Sequence, residues 1–201
     1  MKRIGVLVSG RGSNLQALVD AARRGELGGE VAVVVSNVEG APALERARAA
    51  GVPAVFHDHR GKKREDFDAE VVEILRAHQV DLVCLAGFMR LLSPVFVRAF
   101  PGRVVNIHPA LLPAFPGLDA QRQAWEHGAK VSGATVHLVD EGLDSGPIVA
   151  QEAVSVLSSD TAETLAARIL EVEHRLYPRA VRLLLEGRCR VEGRRVMVEG
   201  E

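Results

Sequence analysis

Cysteine is scarce in this chain: 201 residues include only Cys84 and Cys189. Neither has metal-site or redox spacing, and Cys84 falls inside an apolar run, where it reads as a small buried hydrophobe. An excess of charge of either sign is also lacking. Lys+Arg 25 against Asp+Glu 26 leaves a formal net charge of -1, which argues against a protein held to nucleic acid by phosphate contacts. No apolar run reaches the roughly 20 residues of a membrane span. Strand-like sequence already begins at Arg3, so no signal peptide is expected. Repeats, low-complexity tracts and long linkers are missing too. The expectation is a cytoplasmic globular protein with no nucleic-acid or membrane partner, 47% hydrophobic and 25% charged, long enough for one good core and two lobes.

What is present is an alternation of strand and helix signals. Ile4 to Ser9 reads as a strand, and Leu15, Leu18, Val19 and Ala22 mark a helix face. Val31 to Ser36 is nearly continuous in apolar residues, as in a strand buried on both faces. A helix from Pro42 to Ala50, a strand from Pro53 to His57, an amphipathic helix from Arg64 to His78 and a strand from Leu82 to Gly87 follow. Phe88 to Pro94 reads as a loop. This order predicts an α/β fold with a doubly wound, mostly parallel sheet and a Rossmann-type N-terminal half. After His108 the regularity breaks at Pro109, Pro113 and Pro116-Gly117. A short helix near Ala120 to His127 and strands at 133–139 and 147–156 are expected. A long helix should open at Ser159-Asp160-Thr161 with Glu163 and kink at Pro178. A hairpin about Glu192-Gly193-Arg194 would complete a small C-terminal lobe.

Five constellations could carry chemistry. Asn106-Ile107-His108-Pro109 ends an apolar strand, because Pro109 cannot extend the ladder. It puts a carboxamide and an imidazole on one face at the strand's carboxyl end, where open α/β sheets bind ligands. Such a histidine can give or take a proton near neutral pH. Ser9-Gly10-Arg11-Gly12-Ser13-Asn14 joins strand to helix and can turn backbone N–H groups toward an anion. A dinucleotide fingerprint would need a glycine where Leu15 stands, and a triphosphate loop would need a Lys followed by Ser or Thr. A single phosphate group remains. Asp140 to Ser145 is an acidic loop between strands. Its spacing does not fit a hand-type calcium site, and Asp144 is the carboxylate that Gly142 and Gly146 would let turn inward toward a histidine. His137, in an alternating strand, reads as an ordinary sheet residue and is left out of the site. Glu173 faces inward with Ile169 and Leu176, so it is paired or belongs to a site. Arg64 ends the run Lys62-Lys63-Arg64 and could reach a phosphate or ribose.

Four stretches in order carry a resemblance over nearly the whole chain: Ser9 to Gln16, Leu85 to Pro94, Asn106 to Pro113 and Asp140 to Pro147. Together they resemble the folate-dependent glycinamide ribonucleotide transformylases of purine biosynthesis. The resemblance implies one formyltransferase domain over 1–201, with a phosphoribosyl-binding half (1–100) and a catalytic, folate-binding half (101–201). It implies transfer of a formyl group from 10-formyltetrahydrofolate, as co-substrate, to the amine of a phosphoribosyl glycinamide. No permanently bound cofactor, no metal and no covalent enzyme intermediate would be needed, and the protein would be a monomer or homodimer. Asn106, His108 and Asp144 would be catalytic. Gly12, Ser13 and Asn14 would hold the phosphate, with Arg64 and Glu173 on the rest of the ribonucleotide. Met89, Arg90, Leu91, Leu92, Val139, Asp140, Glu141, Gly142 and Leu143 would line the folate pocket.

Two departures stand out. The family usually reads Gly-Leu-His-Ala-His where this chain has Gly117-Leu118-Asp119-Ala120-Gln121, and it often has a polar residue at the position of Leu170. A formyltetrahydrofolate hydrolase, with water as acceptor, is the alternative. That family typically carries an extra N-terminal domain, and the phosphate loop favours a phosphorylated acceptor.

Overall fold

The sheet sets the position of everything else. A computed structural model describes residues 1–201. The first half runs β1 (Lys2–Val8), α1 (Ser13–Arg23), β2 (Gly29–Ser36), α2 (Pro42–Ala49), β3 (Ala54–Phe56), α3 (Arg64–Ala77), β4 (Leu82–Leu85) and α4 (Pro94–Ala99). The second runs β5 (Val104–His108), α5 (Ala120–His127), β6 (Val131–Leu138), β7 (Ile148–Ser155), α6 (Ala162–Leu185), β8 (Cys189–Glu192) and β9 (Arg195–Val198). All nine strands form one sheet in the order β3-β2-β1-β4-β5-β6-β7-β9-β8. The five strands from β3 to β5 are parallel. β6 and β7 then run antiparallel, and β9 joins β7 through the single pair Ile148 and Arg195. What the sequence places in a C-terminal lobe is thus built onto the same sheet.

Strand order reverses between β1 and β4, so the loops leaving their carboxyl ends diverge and open a crevice there. β2 shows how one strand feeds two cores. Val34 packs in a cluster of 31 buried residues, and its neighbours Val33 and Val35 pack in a cluster of 14 on the other face. Helix α6 lies over the larger cluster, with Leu165, Ile169, Val172 and Leu176 buried. Its Tyr177 hydroxyl donates to the carbonyls of Leu85 (2.7 Å) and Val105 (3.1 Å), which seats the helix against β4 and β5.

The expected long helix is present as α6, with Pro178 inside it. Two local expectations change. The loop after β4 gives way at Pro94 to the short helix α4, held by the buried Phe96. The N-terminus of α6 is capped by Thr161, which accepts from the Thr164 amide, and the reciprocal partner is Thr164 rather than Glu163. At Gly12 the glycine is required. Its φ is 77°, and a Cβ there would meet the Ala43 Cβ at 2.6 Å. No helix is long and apolar enough to cross a membrane.

Candidate active site

Asn106 and His108 project from the end of β5 into a cleft of about 830 Å³. The Met89–Leu92 segment after β4, the Gly117–Asp119 loop and the turn carrying Gly142–Asp144 close round it. Leu85, Leu92 and Val139 wall it, and Met89, Leu91, Leu118 and Leu143 stand exposed at its rim. Its volume and mostly apolar walls with a few convergent polar groups are those of a small-molecule site.

His108 is only 4% exposed. Its Nε2 donates to the Phe115 carbonyl at 2.8 Å, which leaves Nδ1 as the nitrogen that faces Asp144, 3.6 Å from Oδ2. That oxygen also accepts the Gly117 amide at 2.8 Å. Asp144 has φ 48°, a left-handed conformation that a non-glycine residue adopts at a cost. Phe115 and Asp119 share it. The turn permits this because Gly146 packs directly on the Leu138 carbonyl, where any side chain would collide.

The residue that sequence reasoning left out is His137. β5 and β6 pair Asn106 opposite His137, and the Asn106 Nδ2 lies 3.3 Å from the His137 Nε2. His137 Nδ1 donates to the Leu138 carbonyl at 3.0 Å, so Nε2 accepts. Burial pushes His137 below the usual histidine range, against the pull of that carbonyl and of Asp144. A neutral ring therefore orients the Asn106 amide and leaves its second N–H for a ligand. The alternation of β6 gave the face of His137; only the strand register shows its partner.

The second end of the cleft is polar. Glu173 on α6 is 5% exposed and accepts from the Asn14 Nδ2 at 3.2 Å. Burial pushes its carboxyl up to about 7, with the Asn14 bond pulling the other way. The Asn14 Oδ1 is buried without a partner. Asn14 lies in the first turn of α1, whose N-cap is Gly12 with no side-chain cap. That removes Ser13 or Asn14 as the cap and leaves the first-turn N–H groups available to an anion.

Of the expected site residues, Asn14, Met89, Arg90, Leu91, Leu92, Asn106, His108, Val139, Gly142, Leu143, Asp144 and Glu173 all line this cleft. Gly12 and Ser13 stand beside it, at the start of α1. Arg64 is exposed at the first position of α3 and does not line it. Asp140 and Glu141 do not line it either. Asp140 accepts from the Gly142 amide and the Ser145 hydroxyl, holding the turn, and Glu141 pairs with Arg98 at 3.2 Å. Asp119, at the position where the resembled family has histidine, lines the cleft and pairs with Arg122 at 3.4 Å. No group of three or more His, Cys, Asp or Glu side chains is arranged to hold a metal ion.

A family model described as formyl transferase matches residues 2–181. The chain belongs to the formyl transferase family. One relative in the family is a phosphoribosylglycinamide formyltransferase of Bacillus subtilis, 42% identical over 186 residues that cover 92% of this chain and 95% of the relative. The trifunctional purine biosynthetic protein adenosine-3 of Drosophila melanogaster is 51% identical over 92% of this chain, which spans only 14% of that protein's length. The crystal structure of glycinamide ribonucleotide transformylase 1 from Symbiobacterium toebii superposes with a TM-score of 0.97 at 58% identity, covering 98% of this chain and 94% of that one. The matched residues 2–181 include every residue that lines the cleft, so the cleft lies within the shared fold.

Proposed function

We propose that this chain is a phosphoribosylglycinamide formyltransferase of purine biosynthesis. It would transfer the formyl group of 10-formyltetrahydrofolate to the amine of a phosphoribosyl glycinamide. The observation that carries this reading is one cleft with two ends. Apolar walls and backbone loops suited to a pterin face Asn106, His108 and Asp144 at one end. The α1 N-terminus, Asn14 and Glu173 offer an anion and hydroxyl site at the other. The folate would lie against Met89–Leu92 and Val139–Leu143. The ribonucleotide phosphate would sit at Gly12–Asn14, with Glu173 on the sugar and Arg64 closing from α3. The small molecules would be the only partners this site needs, with 10-formyltetrahydrofolate consumed as a co-substrate, in the cytoplasm.

In this mechanism the neutral amine nitrogen attacks the formyl carbon. Negative charge develops on the formyl oxygen, where the Asn106 N–H and the protonated Nδ1 of His108 stabilise it. The Asp144 carboxylate faces the imidazole and balances its charge. The bond from the formyl carbon to N10 of the folate then breaks. N10 takes a proton from His108 or a water beside it, and the former amine nitrogen returns one to that same group, so no net proton is gained or lost. The hydrolase alternative puts water in the amine's place, but it gives the phosphate end of the cleft no task.

The test is single-turnover formyl transfer in the parent, His108→Ala, Asp144→Asn and the double variant. His108→Ala should lose about two decades of rate or more, as loss of an oxyanion donor does. The double variant should be little slower than His108→Ala, because residues acting as a unit are not additive. Near-parental transfer by His108→Ala would overturn the mechanism.

A further inference from the structure

A buried carboxylate outside the cleft has no place in this mechanism. Asp68 lies on α3, is 2% exposed, and its Oδ2 accepts the Ser93 backbone N–H at 2.6 Å. Ser93 is the residue at which the Met89–Leu92 strap ends and α4 begins. The strap's other end is pinned in the same manner. The Met89 amide donates to the Ser9 hydroxyl at 2.9 Å, and that hydroxyl donates to the Asn37 Oδ1 at 2.6 Å. Between the pins, Leu92 is buried and the Arg90 guanidinium lies 4.9 Å from the centre of the Phe67 ring, on the residue preceding Asp68. Four residues of irregular backbone are thus fixed at both ends by buried polar side chains from other elements. Loops that merely connect elements are not usually held this way.

We infer that Asp68 is a positioning residue for the co-substrate: by holding the Ser93 amide it fixes the strap's backbone groups where they meet the pterin. The inference rests on the proposed folate reading of this strap. Burial pushes the Asp68 carboxyl above the ordinary carboxylate range, while Ser93 and then the Arg90 and Arg64 charges pull it back. A carboxyl of this kind, touching no substrate, is a costly way to stabilise a fold. As the acceptor for one amide that must not move, it has a clear use. Asp68 also sits one helical turn after Arg64, so α3 would carry a contact to each end of the cleft.

The experiment measures KM for each substrate and kcat in the parent, Asp68→Ala and Asp68→Asn. Asparagine keeps an acceptor for the Ser93 amide; alanine does not. Asp68→Ala should raise KM for 10-formyltetrahydrofolate about tenfold, the value of one lost buried hydrogen bond. KM for the ribonucleotide and kcat at saturation should stay within about twofold, and Asp68→Asn should recover most of the folate KM. Asp68→Leu, which fills the space without accepting the bond, must show the same split if the alanine variant fails to fold. Equal rises in both KM values, or an unchanged folate KM, would overturn the inference. Leu143→Asp in the same assay separates the two levels. If it too leaves the folate KM unchanged, the pocket assignment fails, and the role of Asp68 fails with it.

Discussion

Glu173→Gln should make the chain more stable, and increasingly so as pH rises. A carboxyl moved from its ordinary 4.5 to about 7 holds its proton in the folded chain over a range where the unfolded chain has lost it. Unfolding in that range releases protons, so stability falls as pH rises from about 4.5 to about 7 and levels off above. At about 1.4 kcal/mol per pH unit, the full penalty is about 3 kcal/mol, and about 2.5 kcal/mol of it accrues between pH 5 and pH 8. Glutamine cannot ionise. Its Oε1 can still accept from the Asn14 Nδ2, and its amide can donate to the Asn14 Oδ1, which has no partner. The assay is thermal or urea unfolding of parent and variant at pH 5 and pH 8. The gap in favour of Glu173→Gln should widen by about 2.5 kcal/mol, or roughly 5–10 °C in Tm for a chain of this size. A gap of the same size at both pH values would refute the reasoning, because Glu173 would then be solvated or paired as an anion.

Leu143→Asp should raise KM for the formyl folate at least about tenfold, since the pterin would have to be buried against a charge, with the ribonucleotide KM little changed; steady-state kinetics in each substrate decide it. His137→Leu should lower kcat about tenfold with both KM values near parental. Asn106 would keep its place but lose the acceptor that orients its amide, and retained kcat would remove His137 from the site.

Much of the site is legible because it depends on short-range geometry. Asn106 and His108 share a face by the two-residue period of a strand, and Pro109 marks where that strand ends. Asp144 is marked by Gly142 and Gly146, and Glu173 by helical spacing from Ile169. The alternation of strands and helices likewise forecasts the parallel half of the sheet. What stays hidden depends on register and on distant partners. His137 joins the site only because β6 returns antiparallel with His137 opposite Asn106. Asp68 matters only because α3 lies against the start of α4, 25 positions on. Helix α4 has six residues, too few for a periodic signal. Arg64 is the converse case. Its charge run drew it into the expected site, but its exposed side chain at the start of α3 does not line the cleft.

The central claim is formyl transfer to an amine-bearing ribonucleotide, and the direct measurement is tetrahydrofolate formation from 10-formyltetrahydrofolate with and without phosphoribosyl glycinamide. With saturating folate, the acceptor should raise the rate at least about a hundredfold, because a site built around the acceptor's polar groups works poorly when they are unfilled. The formyl group should then be recovered on the glycinamide nitrogen. Equal rates in the two conditions, with the formyl group released as formate, would contradict the account and identify water as the acceptor.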